Sequence, residues 1–134
     1  MANLTYYASN KINNNLLGRT SLTTPATYYL GVSGTLISQD GTGKTEPIDS
    51  VYNRIAIANN KTNFSVSSNG LVTNLVAFEF AETTINWGNI NYWFLADAAT
   101  NGNIWLTGAL AVGIVVGSGA TLTLPISAFD SIMQ

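Results

Sequence analysis

The sequence contains no histidine and no cysteine, which removes the commonest general base and the two side chains that most often hold transition metals. Any chemistry would fall to carboxylates, lysine, hydroxyls or phenols. Cleavage of a glycosidic bond needs two carboxyl groups facing each other across roughly 5–10 Å, and of the seven acidic residues Glu79 and Glu82 are the closest pair inside structured sequence. Glu79 falls on the polar side of an alternating stretch and Glu82 in the turn after it. Solubilising residues belong at both places, so no catalytic residue is expected and the chain does not read as an enzyme.

The run Asp40-Gly41-Thr42-Gly43-Lys44-Thr45 looks like the end of a phosphate-binding loop. Such a loop needs a glycine five positions before Gly43, where this chain has Ser38, and a helix afterwards, where it has Glu46-Pro47. A glycine-rich surface loop is the better reading. Asp40 and Asp49 lack the alternating acidic spacing of a calcium loop, so neither a metal nor a cofactor is expected. Asn3-Leu4-Thr5, Asn60-Lys61-Thr62 and Asn63-Phe64-Ser65 match the glycosylation pattern, but the first residues lack the basic end and apolar run of a secretory signal. Trp87, Tyr92, Trp93, Phe94 and Trp105 could stack on a sugar. Aromatics alternating along strands are more often core and cross-strand pairs.

The totals narrow the function classes further. At 134 residues the chain has the length of one domain, and residues 1–134 read as a single unit with one core. Charged residues make up 9% against about 25% in an average protein, so the surface is neutral and polar and suits packing against neighbours. Lys11, Arg19, Lys44, Arg54 and Lys61 are scattered and form no stripe that could neutralise phosphates, so no nucleic acid is expected. No segment approaches the roughly 18 apolar residues of a membrane span, so no membrane partner is expected.

These side chains must be positioned by strands. Asn3, followed by Leu4, Ala8, Ile12, Leu16, Leu17 and then Gly18, predicts a short amphipathic helix over about 4–17, capped by Asn3 and docked on the chain's own sheet. Asn13-Asn14-Asn15 should fray it. Thr27–Ser33 is rich in strand formers, and residues 34–50 read as a long surface loop. Strands are expected over 51–58, 64–67 and 71–80, with Asn69-Gly70 as a type I′ turn. Residues 87–110 read as a central hairpin, residues 111–124 as another hairpin turning at Gly117-Ser118-Gly119, and residues 126–134 as a tail forming a last strand or an arm. About eight short strands and one N-terminal helix indicate a mainly β fold, an antiparallel sandwich or jelly-roll-like barrel.

Several of these pieces also occur in a known order. Asn15-Leu16-Leu17-Gly18, Pro25-Ala26-Thr27-Tyr28-Tyr29-Leu30-Gly31-Val32-Ser33, Trp87-Gly88-Asn89-Ile90, Phe94-Leu95-Ala96-Asp97-Ala98-Ala99, Gly102-Asn103-Ile104-Trp105 and Gly108-Ala109-Leu110 resemble a family of small tailed-bacteriophage virion proteins, labelled tail-fibre or head-decoration proteins. Where that family has Ser-Asp-Pro after the first strand, this chain has Gly34-Thr35-Leu36. The resemblance implies a structural protein made in the host cytoplasm and added to a symmetric particle. The expectation is a capsid cement protein, a homotrimer binding the outer surface of the major capsid protein shell, because the compact chain has no fibre shaft. The alternative is a tail-fibre or baseplate adhesin that binds a host cell-surface glycan. Tyr6, Tyr7, Leu36, Ile37, Phe129, Ile132 and Met133 are the candidate contact residues.

Overall fold

The computed structural model describes residues 2–129, 131 and 132. The elements are β1 (Ala2–Leu4), α1 (Tyr6–Leu16), β2 (Thr27–Ser33), β3 (Ile55–Ala58), β4 (Leu71–Val72), β5 (Phe78–Glu79), β6 (Gly88–Ala96), β7 (Ile104–Val116), β8 (Thr123–Leu124) and β9 (Ser131–Ile132). Five strands form one antiparallel sheet in the order β1-β7-β6-β2-β3, and two ribbons, β4–β9 and β5–β8, stand apart from it. The fold is mainly β and sandwich-like, and no closed barrel forms among the described residues. No described helix is long and apolar enough to cross a membrane.

The centre is β6, because Trp93, Phe94, Leu95 and Ala96 are all buried and only a strand flanked on both edges and covered on both faces can bury successive side chains. On one face Tyr28, Leu30, Val32, Trp93 and Leu95 meet Phe78, Phe80, Leu122, Leu124 and Phe129 of the ribbons and their flanks in the main core. On the other, Phe94, Ala96 and Ile104 form a small second cluster covered by Ile37. The 34–50 segment is therefore a loop that also roofs the sheet.

The N-terminus departs from the expected pattern. Asn3 does not cap the helix; it lies in β1 opposite Thr107 of β7. Thr5 is the cap, its Oγ1 accepting from Ala8 N at 3.3 Å and donating to the Ile104 carbonyl, so one hydroxyl ties helix and sheet together. The Asn run does not stop the helix early. Its side chains are exposed, and the Asn14 carbonyl accepts from Arg19 N at 2.7 Å as the chain turns through Gly18 at φ 72°. The helix docks only by its first half: Ala8 is fully buried, whereas Leu16 and Leu17 are 73% and 80% exposed.

Two further corrections concern strands. Residues 71–80 form two short strands rather than one, and the 64–67 stretch makes only an isolated bridge between Phe64 and Asn74. Residues 111–124 are not a hairpin. The second half of β7 continues the central sheet to Val116, and after the expected turn at 117–119 the chain pairs with β5 instead. Asn69-Gly70 and Asn101-Gly102 both turn at positive φ as their sequences predict.

Candidate functional site

The first turns of α1, the segment 23–27 entering β2, the end of β6 and the start of β7 border a wide, open cleft of about 600 Å³. Tyr7 and Lys11 are one helical turn apart and share a face, with Lys11 Nζ 5.1 Å from the Tyr7 ring centre. Trp105 forms the floor: Tyr7 meets it edge-on at 5.4 Å and Tyr28 at 6.3 Å. Its Nε1 donates to Asp97 at 3.4 Å, and Asp97 also accepts from Asn103 N at 2.8 Å and Nδ2 at 3.1 Å. Burial works against the charge on Asp97, but the Asn103 and Trp105 donors outweigh it and hold the carboxyl below its usual range. Tyr29, Thr23 and Thr24 complete the wall. Among the described residues, the hydroxyls of Tyr7 and Tyr29 and the main chain of Thr23 and Thr24 have no hydrogen-bond partner.

The other carboxylates fasten loops. Glu46 takes a two-pronged bond from Arg54, both contacts at 2.9 Å, and accepts from the Tyr52 hydroxyl at 2.8 Å. Arg54 also donates to the carbonyls of Ala98 at 2.9 Å and Asn101 at 2.8 Å and lies over the Phe94 ring. The 34–50 loop, β3 and the β6–β7 turn are thus tied at one guanidinium. Burial opposes ionisation of Glu46, and the Arg54 and Tyr52 donors overcome it and hold the carboxyl low. Tyr52 is pushed well above its usual range by burial and by the Glu46 charge. Asp49 accepts from Thr84 N at 2.8 Å, Trp87 Nε1 at 2.9 Å, Ile85 N and Val51 N at 3.3 Å, and the Thr84 hydroxyl. Despite the opposing effect of burial, those donors hold it far below an ordinary aspartate. Carboxylates so fully engaged have little capacity left for a substrate.

Glu79 and Glu82 are both exposed, outside the cleft. Asp40 folds back on its own loop, accepting from Thr42 N at 3.0 Å and Thr42 Oγ1 at 2.6 Å, and no helix follows Thr45.

The model of a family described as podophage GP4 fiber I protein gp80 matches residues 3–131. The chain belongs to that family. No curated protein matches it. As a member of this fibre family it is a structural protein of a tailed-phage virion, in line with the resemblance carried by its helix end, first strand and central hairpin.

The structure separates the candidate contact residues of this family member. Tyr6 and Leu36 are 57% and 66% exposed, and Tyr7 is partly buried against Trp105. Ile37 and Phe129 are core side chains. Ile37 sits in the second cluster, and Phe129 stacks on Trp93 at 4.2 Å and on Phe78 at 5.6 Å. Both side chains are buried within the chain, at 6% and 3% exposure. The backbone of Ile132 pairs with Leu71, and Met133 lies outside the described residues. The cleft residues Lys11, Thr23, Thr24, Tyr29 and Asp97 were not singled out from sequence. They come from three separate stretches, and the pairing of β6 with β2 and β7, together with the docking of α1 on β7, brings those stretches together.

Proposed function

We propose that this chain is a fibre component of the virion, an adhesin module that touches a glycan on the host cell surface. The observation that carries this reading is the fibre-family match over residues 3–131. The rigid sheet supports it physically, since binding residues work best on loops and helix ends held by a stiff scaffold. An adhesin of this kind acts through many weak contacts made together, so several copies act as a homo-oligomer. Gold-labelled antibody against the chain should decorate the tail region of intact particles; label over the head instead would sink the fibre role.

The second reading is a capsid cement protein on the major capsid protein shell, assembled as a trimer. What favours it is the exposed apolar side chains of Leu36 and Ile48, 66% and 92% accessible, on the long loop. A cement stabilises by binding only the mature shell, through mass action. Particles lacking the chain would then lose DNA on heating sooner than complete ones.

A further inference from the structure

We infer that the cleft between α1 and the 23–27 segment is a binding site for a neutral oligosaccharide. This rests on the adhesin reading and supplies the site and ligand class that the reading leaves open. The volume, about 600 Å³, lies within the range of small-ligand sites, roughly 300–1,000 Å³.

Its chemistry is mixed in the way a sugar requires. A pyranose presents an apolar face of C–H groups and a rim of hydroxyls that both donate and accept. Tyr7 and Tyr29 both line the cleft, Tyr7 packed between Trp105 and Lys11 and Tyr29 half-buried, and aromatic side chains combine an apolar ring with a polar tip. For the rim, Lys11 supplies donors only and the hydroxyls of Thr23, Thr24, Tyr7 and Tyr29 supply both, while Asp97, already accepting from Asn103 and Trp105, adds only its remaining acceptor capacity. The unpartnered main chain of Thr23 and Thr24 adds one donor and one acceptor per residue.

The same groups argue against other ligands. A phosphate or polyanion would find one lysine and meet the Asp97 carboxylate in the same cleft. A purely apolar molecule would strip water from Lys11 and Asp97 without replacing their hydrogen bonds. The two opposite charges leave the cleft neutral, which suits an uncharged ligand rich in hydroxyls. The floor is also set in advance: Trp105 is held by Tyr7, Tyr28 and Asp97, and Asp97 by Asn103. Little ordering cost is left for the binding step.

The test is binding of the full chain to an array of neutral oligosaccharides beside uronic-acid and sialic-acid oligosaccharides, and to surface polysaccharide purified from a strain the phage infects. Retention on neutral sugars is expected, with Tyr29→Ala and Lys11→Ala each weakening it about tenfold, the loss of one anchoring contact, while the thermal midpoint stays unchanged. Failure to bind any neutral sugar, preference for the acidic ones, or binding indifferent to both substitutions would overturn the site. Antibody label at the tail together with no sugar binding would remove this site alone, whereas label on the head would remove the adhesin reading whatever the array shows.

Discussion

The Trp93 indole lies against the backbone of Gly108, its registered partner on β7, so closely that a Cβ at Gly108 would come within 2.5 Å of the ring. On the other side of β6 the Phe94 ring covers Gly31, its registered partner on β2, in the same manner. Two successive aromatics thus each use a glycine on a different neighbour, one for each face of the sheet. Gly108→Ala and Gly31→Ala should each cost about 1–3 kcal/mol in urea unfolding, because neither ring can move without opening its cluster. Gly117→Ala, where a Cβ meets nothing within 4 Å, should stay within about 0.5 kcal/mol of the parent.

Phe129→Ala is expected to cost about 3–5 kcal/mol, the usual loss for a large aromatic removed from a core, because the ring is 3% exposed and stacked on Trp93 and Phe78. Leu36→Ser should leave the midpoint within about 0.5 kcal/mol. Chemical denaturation of the two variants separates core from surface. Equal stability losses would contradict the placement.

How much of this was legible in the chain depended on distance along it. Thr27–Ser33, the hairpin built on residues 87–110 and the Asn-Gly turns were visible because strand propensity and positive-φ dipeptides act within a few residues. The helix start was misplaced because Asn3 and Thr5 are both good caps, and only the pairing of Asn3 with Thr107 decides between them. The turn at 117–119 was found, but the strand after it was assigned to the wrong partner, since nothing local says that Thr123–Leu124 joins Phe78–Glu79. For the same reason Phe129 read as a contact residue of the tail, and Lys11, Tyr29 and Asp97 could not be placed in one cleft.

Glu46→Gln should destabilise by about 1–3 kcal/mol, because it leaves the buried Arg54 guanidinium without its charged partner. The same change should loosen the 98–102 turn, which Arg54 holds through the Ala98 and Asn101 carbonyls. Amide hydrogen exchange at residues 98–103 and 35–46 should speed up together. Faster exchange in only one of the two segments would contradict a shared tie.

Acid should unfold the protein, and neutral pH changes should not. Glu46, Asp49 and Asp97 all have carboxyls held below their ordinary values, with burial opposing and donated hydrogen bonds prevailing. Above about pH 5 these groups are ionised in both the folded and the unfolded chain, so the bonds contribute fully. As pH falls through about 4 the unfolded chain takes up protons first, and stability declines until the folded-state carboxyls also titrate. With no histidine, the thermal midpoint should be flat from about pH 8 to 5 and fall below about 4. Asp49→Asn should flatten the acid limb, and an unchanged acid limb in that variant would contradict the role given to Asp49.

The fibre, facing the host, is the proposed place of this structural virion protein. A reconstruction of the intact phage particle tests it most directly. Density for the five-stranded sheet, centred on β6, is expected in the fibre region of the tail, with the cleft of Tyr7, Lys11 and Tyr29 open to solvent. Density for the same sheet bound to the outer face of the capsid shell would contradict it.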